Sequence, residues 1–253
     1  MITDLQKAGL WKRISAGLLD AIALGMLAVG IATLLSVLLG YTSHMDNLNA
    51  AYDRYEKEYG VEFQITQAQY DALTAEEQAQ YDRGYQALIA DEEVVYTYNI
   101  LINQTMLITT FGILVSVVLL EFVVPLLLKN GQTLGKKVFG IALMRSDGVK
   151  MNNLQLFART VLGKFTIELM IPIYIIIMIF FNSIGIVGLV VLAALAVGQI
   201  ISLAATKNGS LLHDVLAGTV AVDLASQMIF PSKEAQIEYV KRLHAQEAKE
   251  QKY

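Results

Sequence analysis

Apolar residues in this chain come in long unbroken runs, not at the spacing of a half-buried helix or strand. The first run, Leu10 to Gly40, reads LWKRISAGLLDAIALGMLAVGIATLLSVLLG and carries one charge, Asp20, past Arg13. A bilayer is crossed by about 20 apolar residues, so this run predicts a membrane helix over 14–39. A second run, 100–128, is interrupted by Glu121 and Pro125. Two more, 165–181 and 184–205, are divided by Asn182-Ser183 and predict a hairpin of spans. A single long broken helix over the same residues is the alternative. The expected fold class is therefore an all-α integral membrane protein, a four-helix transmembrane bundle. Small residues recur every four positions in the first run (Gly17, Ala21, Gly25; Ala28, Ala32, Ser36) and in the fourth (Ala194, Gly198, Ser202). That spacing lets neighbouring backbones approach closely.

The segments between the runs are polar in different ways. Residues 40–99 form an acidic insert. From Tyr41 to Asn99 twelve carboxylates face Arg54, Lys57 and Arg83 alone. Thr74 followed by Glu77 is a helix-start pattern, and two or three short amphipathic helices outside the membrane are expected there. A solvated acidic cap is the plainer reading of that charge, a cation or partner site the sharper one. Residues 129–164 are basic: Lys129, Lys136, Lys137, Arg145, Lys150, Arg159 and Lys164 against Asp147. Basic loops stay on the cytoplasmic side, so this loop, the N-terminal residues 1–13 and the C-terminal tail 206–253 are expected inside and the acidic insert outside. Val138–Met144 has strand composition, Arg145-Ser-Asp-Gly148 is a turn, and Thr219–Asp223 is a second strand-like run. The two runs predict a small cytoplasmic β element. Asn152–Gly163 reads as a short helix leading back to the membrane, and Lys207-Asn-Gly-Ser210 as a turn. The segment 2–11 is expected either along the membrane surface, with Trp11 at the headgroups, or as an ordered stub. The tail 232–252 reads as a charged helix, solvated by default.

Composition narrows the chemistry. The 253 residues are 55% hydrophobic with a mean hydropathy of +0.50, well above a water-soluble domain. Without cysteine, disulfides and thiolate metal sites are excluded, and the three histidines show no ligand spacing. The first apolar run exceeds the 7–15 residues or so of a signal-peptide core and reads as a retained anchor. Gly131-Gln-Thr-Leu-Gly135-Lys136-Lys137 is one spacer short of a phosphate loop and lacks its hydroxyl. No nucleophile elbow, zinc motif or dinucleotide turn is present. The sequence therefore supports no enzyme, no catalytic residue, no cofactor and no metal. The basic loop has few aromatics, which argues against nucleic acid.

What remains is three acids inside predicted spans: Asp20, Glu121 and Glu168. A carboxylate in hydrocarbon costs a few kcal/mol or more, so each needs a partner, a wet cavity or a proton. Counted from Arg13, Lys129 and Lys164, all three fall at the cytoplasmic end of their helices. Two are followed four residues on by proline, at Pro125 and Pro172. Proline cannot donate to the glutamate carbonyl, so helix breaks are expected at both, each leaving a carboxylate beside a freed carbonyl. Arg13, Arg159 and Lys164 are the expected charge partners. Gly17 and Asp20 share Arg13's face, which gives its guanidinium a clear path to Asp20.

Three stretches together make the chain resemble the RDD family of membrane proteins. These are Ala8-Gly-Leu-Trp-Lys-Arg13 with Leu18-Leu-Asp20, Gly131-Gln-Thr-Leu-Gly135-Lys136, and Leu212-His-Asp214 with Leu216-Ala-Gly-Thr219. The resemblance runs from Gly9 to about Asp223 without the insert. It implies Arg13, Asp20 and Asp214 as signature residues. It also implies a role in ion homeostasis, since some members resemble sodium/proton antiporters. Glu121 and Glu168 come from the residues alone. Two functions are weighed: exchange of small monovalent cations for protons through Asp20, Glu121 and Glu168, or a non-transporting scaffold or assembly factor binding a partner through the insert or the cytoplasmic face. Four spans make a small bundle, so transport implies a homo-oligomer in the lipid bilayer, with a prokaryotic cell membrane expected. Paired acids with no cavity would favour the scaffold; a wet cavity joining unpaired acids would favour transport.

Overall fold

The computed structural model describes residues 5–128, 130–180, 183–206 and 209–250. Lys129 of the basic loop, Asn182 of the predicted divider, Lys207-Asn208 of the predicted turn and both chain ends lie outside the described residues. Among the described residues four helices are long and apolar enough to cross a membrane: Leu10–Leu38, Glu92–Leu128, Asn153–Ile179 and Gly185–Ala205. The apolar window of the first is not buried within the protein at all. Large side chains such as Leu18, Ile22, Met26 and Val29 point outward. Such a surface is stable against lipid tails and not against water.

The helix bounds differ from those read off the apolar runs, and the reasons are local. The first helix begins at Leu10, before Arg13. The second begins at Glu92, eight residues before the run at 100. Asp91 sits at its start and accepts from the backbone N–H of Glu93 (2.9 Å) and Val94 (3.4 Å), and acidic residues are favoured in a first turn. The third begins at Asn153, where Asn152 and Gln155 form a capping box. The stretch expected as a separate short helix is thus the start of the third long helix.

The expected breaks at Pro125 and Pro172 are corrected too. The chain stays helical through both prolines, and the turns before them widen into π-helix over Val118–Val123 and Ala158–Met170. A proline ring clashes with the carbonyl four residues back. A turn bonded to the fifth residue back avoids that clash: Val124 N–H reaches Leu119 O, and Ile171 N–H reaches Thr166 O.

By its contacts the chain forms two compact units, Met1–Ala28 with Ile113–Tyr253, and Val29–Gly112. In the second, Tyr41–Tyr59 and Ala75–Ala90 are helices joined through a short one, Gln67–Asp71. Thr66 and Thr74 each open a helix with a capping box, closed by Gln69 and Glu77. The core of this unit is Phe63, Leu88 and Val94, with Phe63 edge-on to Tyr52, Tyr81 and Tyr85.

In the first unit, strand β1 (Ile141–Arg145) pairs antiparallel with β2 (Thr219–Asp223), with Leu143 opposite Ala221. The strands' first four residues are buried. Two backbone bonds and one ion pair tie the N-terminal segment to β2. Asp223 N–H donates to Gln6 O (2.9 Å), Ala8 N–H donates to Ala221 O (3.3 Å), and the Lys12 ammonium meets Asp223 at 2.5 Å. Trp11 there is 78% exposed and Leu10 beside it 58%. The C-terminal helix Lys233–Glu250 docks through Gln236, which donates to Asp147 O at 3.0 Å.

Candidate functional site

The acid on the first helix is built in from two sides. Asp20 is 7% exposed. Its Oδ2 accepts from Thr133 Oγ1 (2.5 Å) and its Oδ1 from the Gly135 N–H (2.7 Å), with Lys136 Nζ 3.7 Å away. Thr133 caps the short helix Leu134–Val138, so the glycine-rich stretch that fails as a phosphate loop wraps a carboxylate instead. Gly135 is obligatory here. A Cβ on it would lie 2.2 Å from Ala16 O and 3.0 Å from Asp20 Cγ. Arg13, expected to reach Asp20, donates through Nη1 to Gly209 O at 2.6 Å. The shared helix face did not decide its partner: the guanidinium goes to a backbone carbonyl after the fourth long helix.

Glu121 sits in the π-helical turn of the second long helix and is 2% exposed. The Lys164 ammonium binds its Oε1; the sequence named Lys164 as a charge partner without saying of which acid. Its Oε2 is buried with no hydrogen-bond partner among the described residues. The carbonyl that Pro125 cannot satisfy accepts from Thr160 Oγ1 at 3.0 Å. Thr160 gave no sign of this in the sequence.

The long π-helical stretch puts Arg159, Lys164 and Glu168 on one wall, since residues four to five apart stack when each turn is widened. Against it packs the short helix Leu212–Ala217. Gly163 allows the approach; a Cβ there would fall 2.6 Å from His213 Cβ. Arg159 Nε donates to Asp214 Oδ1 (2.9 Å), which also accepts from Thr219 Oγ1 (3.1 Å). Arg159 Nη2 meets His213 Nε2 at 2.8 Å. A guanidinium only donates, so Nε2 accepts and the imidazole proton sits on Nδ1. From there it donates to Glu168 Oε2 at 2.7 Å, while the His213 N–H donates to Oε1 at 3.0 Å. Burial holds His213 below the usual histidine range, and the facing Arg159 adds to this. Burial pushes Asp214 up, but the Arg159 guanidinium beside it outweighs the burial and, with the Thr219 hydroxyl, holds it down to about 2.

These side chains share one cavity of about 350 Å³. Asp20, Glu121, Glu168 and Asp214 line it, and so do Arg13, Lys136, Arg159 and Lys164. With His213 neutral, its carboxylates and fixed cations are balanced. Among the described residues no cluster of three or more acids, histidines or cysteines is arranged to hold a metal ion. The sequence located the acids. It missed Thr133, Gly135, Lys136, Thr160 and His213, and only the Thr133 cap ahead of a glycine and two lysines was a usable signal.

A family model described as RDD family matches residues 7–218. No curated protein and no solved structure matches the chain.

Proposed function

Because the chain belongs to the RDD family, whose model covers most of its length, we propose that this membrane protein exchanges a small monovalent cation for protons through the cavity these side chains line. Glu121 is the group that carries the reading. Its Oε2 is buried without a donor among the described residues, in a cavity where the carboxylates of Asp20, Glu168 and Asp214 each hold at least two donors. A buried carboxylate oxygen left open on a helix of membrane length is a place for a proton or a cation. In this reading the basic loop and both termini face the cytoplasm, the acidic insert faces outward, and the small bundle works as a homo-oligomer. Asp20 and Glu168 are the neighbouring acids through which a cation would pass.

A scaffold reading has one observation in its favour. Most of the acids are neutralised in place, as an ion-pair core requires, and the insert then serves as the binding part. Proton flux in proteoliposomes separates the two. Pulses of sodium, lithium or potassium are expected to drive proton movement in the wild type. Glu121→Gln and Glu168→Gln are expected to abolish it while eluting as folded protein. No flux from folded wild type across ions and pH would leave the scaffold reading standing.

A further inference from the structure

We propose that the cavity is also a lipid site. It takes a phospholipid with a primary ammonium head, the ammonium on Glu121 Oε2 and an acyl chain along the first helix. This goes beyond cation exchange, shares only the cavity and Glu121 with it, and is read by a different measurement.

The polar end of the cavity asks for a charged donor. Glu121 is 2% exposed and lines the cavity, and its Oε2 has no hydrogen-bond partner among the described residues. Buried polar atoms are nearly always paired, and an ionised donor makes the stronger bond to a carboxylate. The cavity's four carboxylates are already balanced by two arginines and two lysines while His213 is neutral. A resident ligand with a net charge would upset that balance in a low-dielectric site, and a zwitterion does not. An ammonium carried on a phosphodiester meets both conditions. Its N–H groups serve Oε2, and its phosphate adds the compensating negative charge. A choline head has the same net charge but no N–H, and would leave Oε2 unpaired.

One helical turn on, the same cavity becomes apolar. Leu24 follows Asp20 by four residues and Val117 precedes Glu121 by four, and both line the cavity. Residues four apart share a helix face. Both steps lead towards the middle of a helix long enough to cross a membrane. The wall on the first helix is built of small residues and is open. Gly17 and Ala21 line the cavity yet are themselves exposed, and a Cβ on Gly17 would meet nothing within 4 Å. The cavity thus opens sideways past a helix whose large side chains point outward. A charged floor below an apolar, laterally open slot fits an amphiphile that enters from the bilayer.

Purified full-length protein is stripped of lipid in detergent and titrated with phosphatidylethanolamine, its N,N-dimethyl derivative, phosphatidylcholine and phosphatidylglycerol, all with the same acyl chains. Native mass spectrometry counts the bound lipid. The wild type is expected to bind phosphatidylethanolamine at least about tenfold more tightly than phosphatidylcholine, the size of one hydrogen bond to a charged group. The dimethyl lipid keeps an N–H and is expected to follow phosphatidylethanolamine. Glu121→Gln is expected to hold the two zwitterionic lipids alike. That variant also deprives Lys164 of its carboxylate, so Gly17→Leu tests the slot without touching the acids. It is expected to lose the bound lipid while melting as the wild type does. The site is overturned by equal wild-type binding of phosphatidylethanolamine and phosphatidylcholine, by a preference for phosphatidylglycerol, or by a dimethyl lipid that binds no better than phosphatidylcholine. Folded Glu121→Gln that keeps the preference, or Gly17→Leu that binds as the wild type does, overturns it too. Selective lipid binding without proton flux would overturn exchange alone, and flux without lipid selectivity would overturn the lipid site alone.

Discussion

The Arg159–Asp214 pair offers the sharpest test of how the first unit is held together. Arg159 is 4% exposed and Asp214 2%, with Nε and Oδ1 2.9 Å apart. Removing one member of a pair this deeply buried strands the other, which typically costs about 3–5 kcal/mol. Arg159→Met takes the upper part of that range, because it also removes the donor to His213 Nε2. Asp214→Asn takes the lower part, because Asn can still accept from Thr219. The double variant Arg159→Met with Asp214→Leu leaves no unpaired charge. It is expected to fall short of the summed losses by about 2 kcal/mol, within the range found for directly coupled residues. Unfolding of the purified protein in mixed micelles, followed by circular dichroism, measures all three. The pair also has a pH signature. Asp214 is depressed from 3.8 to about 2, so its contribution is fully present above about pH 4 and is lost as pH falls through the folded value. The amount lost is about 2 kcal/mol. Asp214→Asn should remove that acid-dependent part. Additive losses in the double variant, or a wild-type acid transition that Asp214→Asn leaves unchanged, would refute this account of the pair.

Two further substitutions test separate parts of the molecule. Gly135→Ala is expected to destabilise the protein by about 1–3 kcal/mol, the usual cost of forcing atoms into a packed interior, because its Cβ would meet Ala16 O at 2.2 Å; it should also lengthen the Gly135 N–H bond to Asp20. A melting temperature unchanged from wild type would contradict that contact. In the other unit, Phe63→Ala empties the centre of a ring cluster and is expected to cost about 3–5 kcal/mol. Faster limited proteolysis between Tyr59 and Thr74 would report it, and wild-type resistance would count against Phe63 as the core of that unit.

By itself the sequence determined the character of the molecule. Four apolar runs of membrane length, the charge sorting between them, the pairing of two short strand-like runs and the buried acids were all legible, because each depends on local composition and on the fixed thickness of a bilayer. The motifs that carry the family resemblance were legible for the same reason, being short and contiguous. Tertiary structure decided who meets whom. Arg13 turns to Gly209 instead of the acid on its own face, Asp20 is held by a loop more than a hundred residues away, and Arg159 goes to Asp214. The prolines announced an irregularity, but whether the helix breaks or widens depended on what packs against it: Thr160 supplies Glu121's carbonyl with a hydroxyl donor, so the helix can continue. Ion-pair choice is a competition among all acceptors within reach of a long side chain, and reach is a property of the folded chain, not of spacing along it.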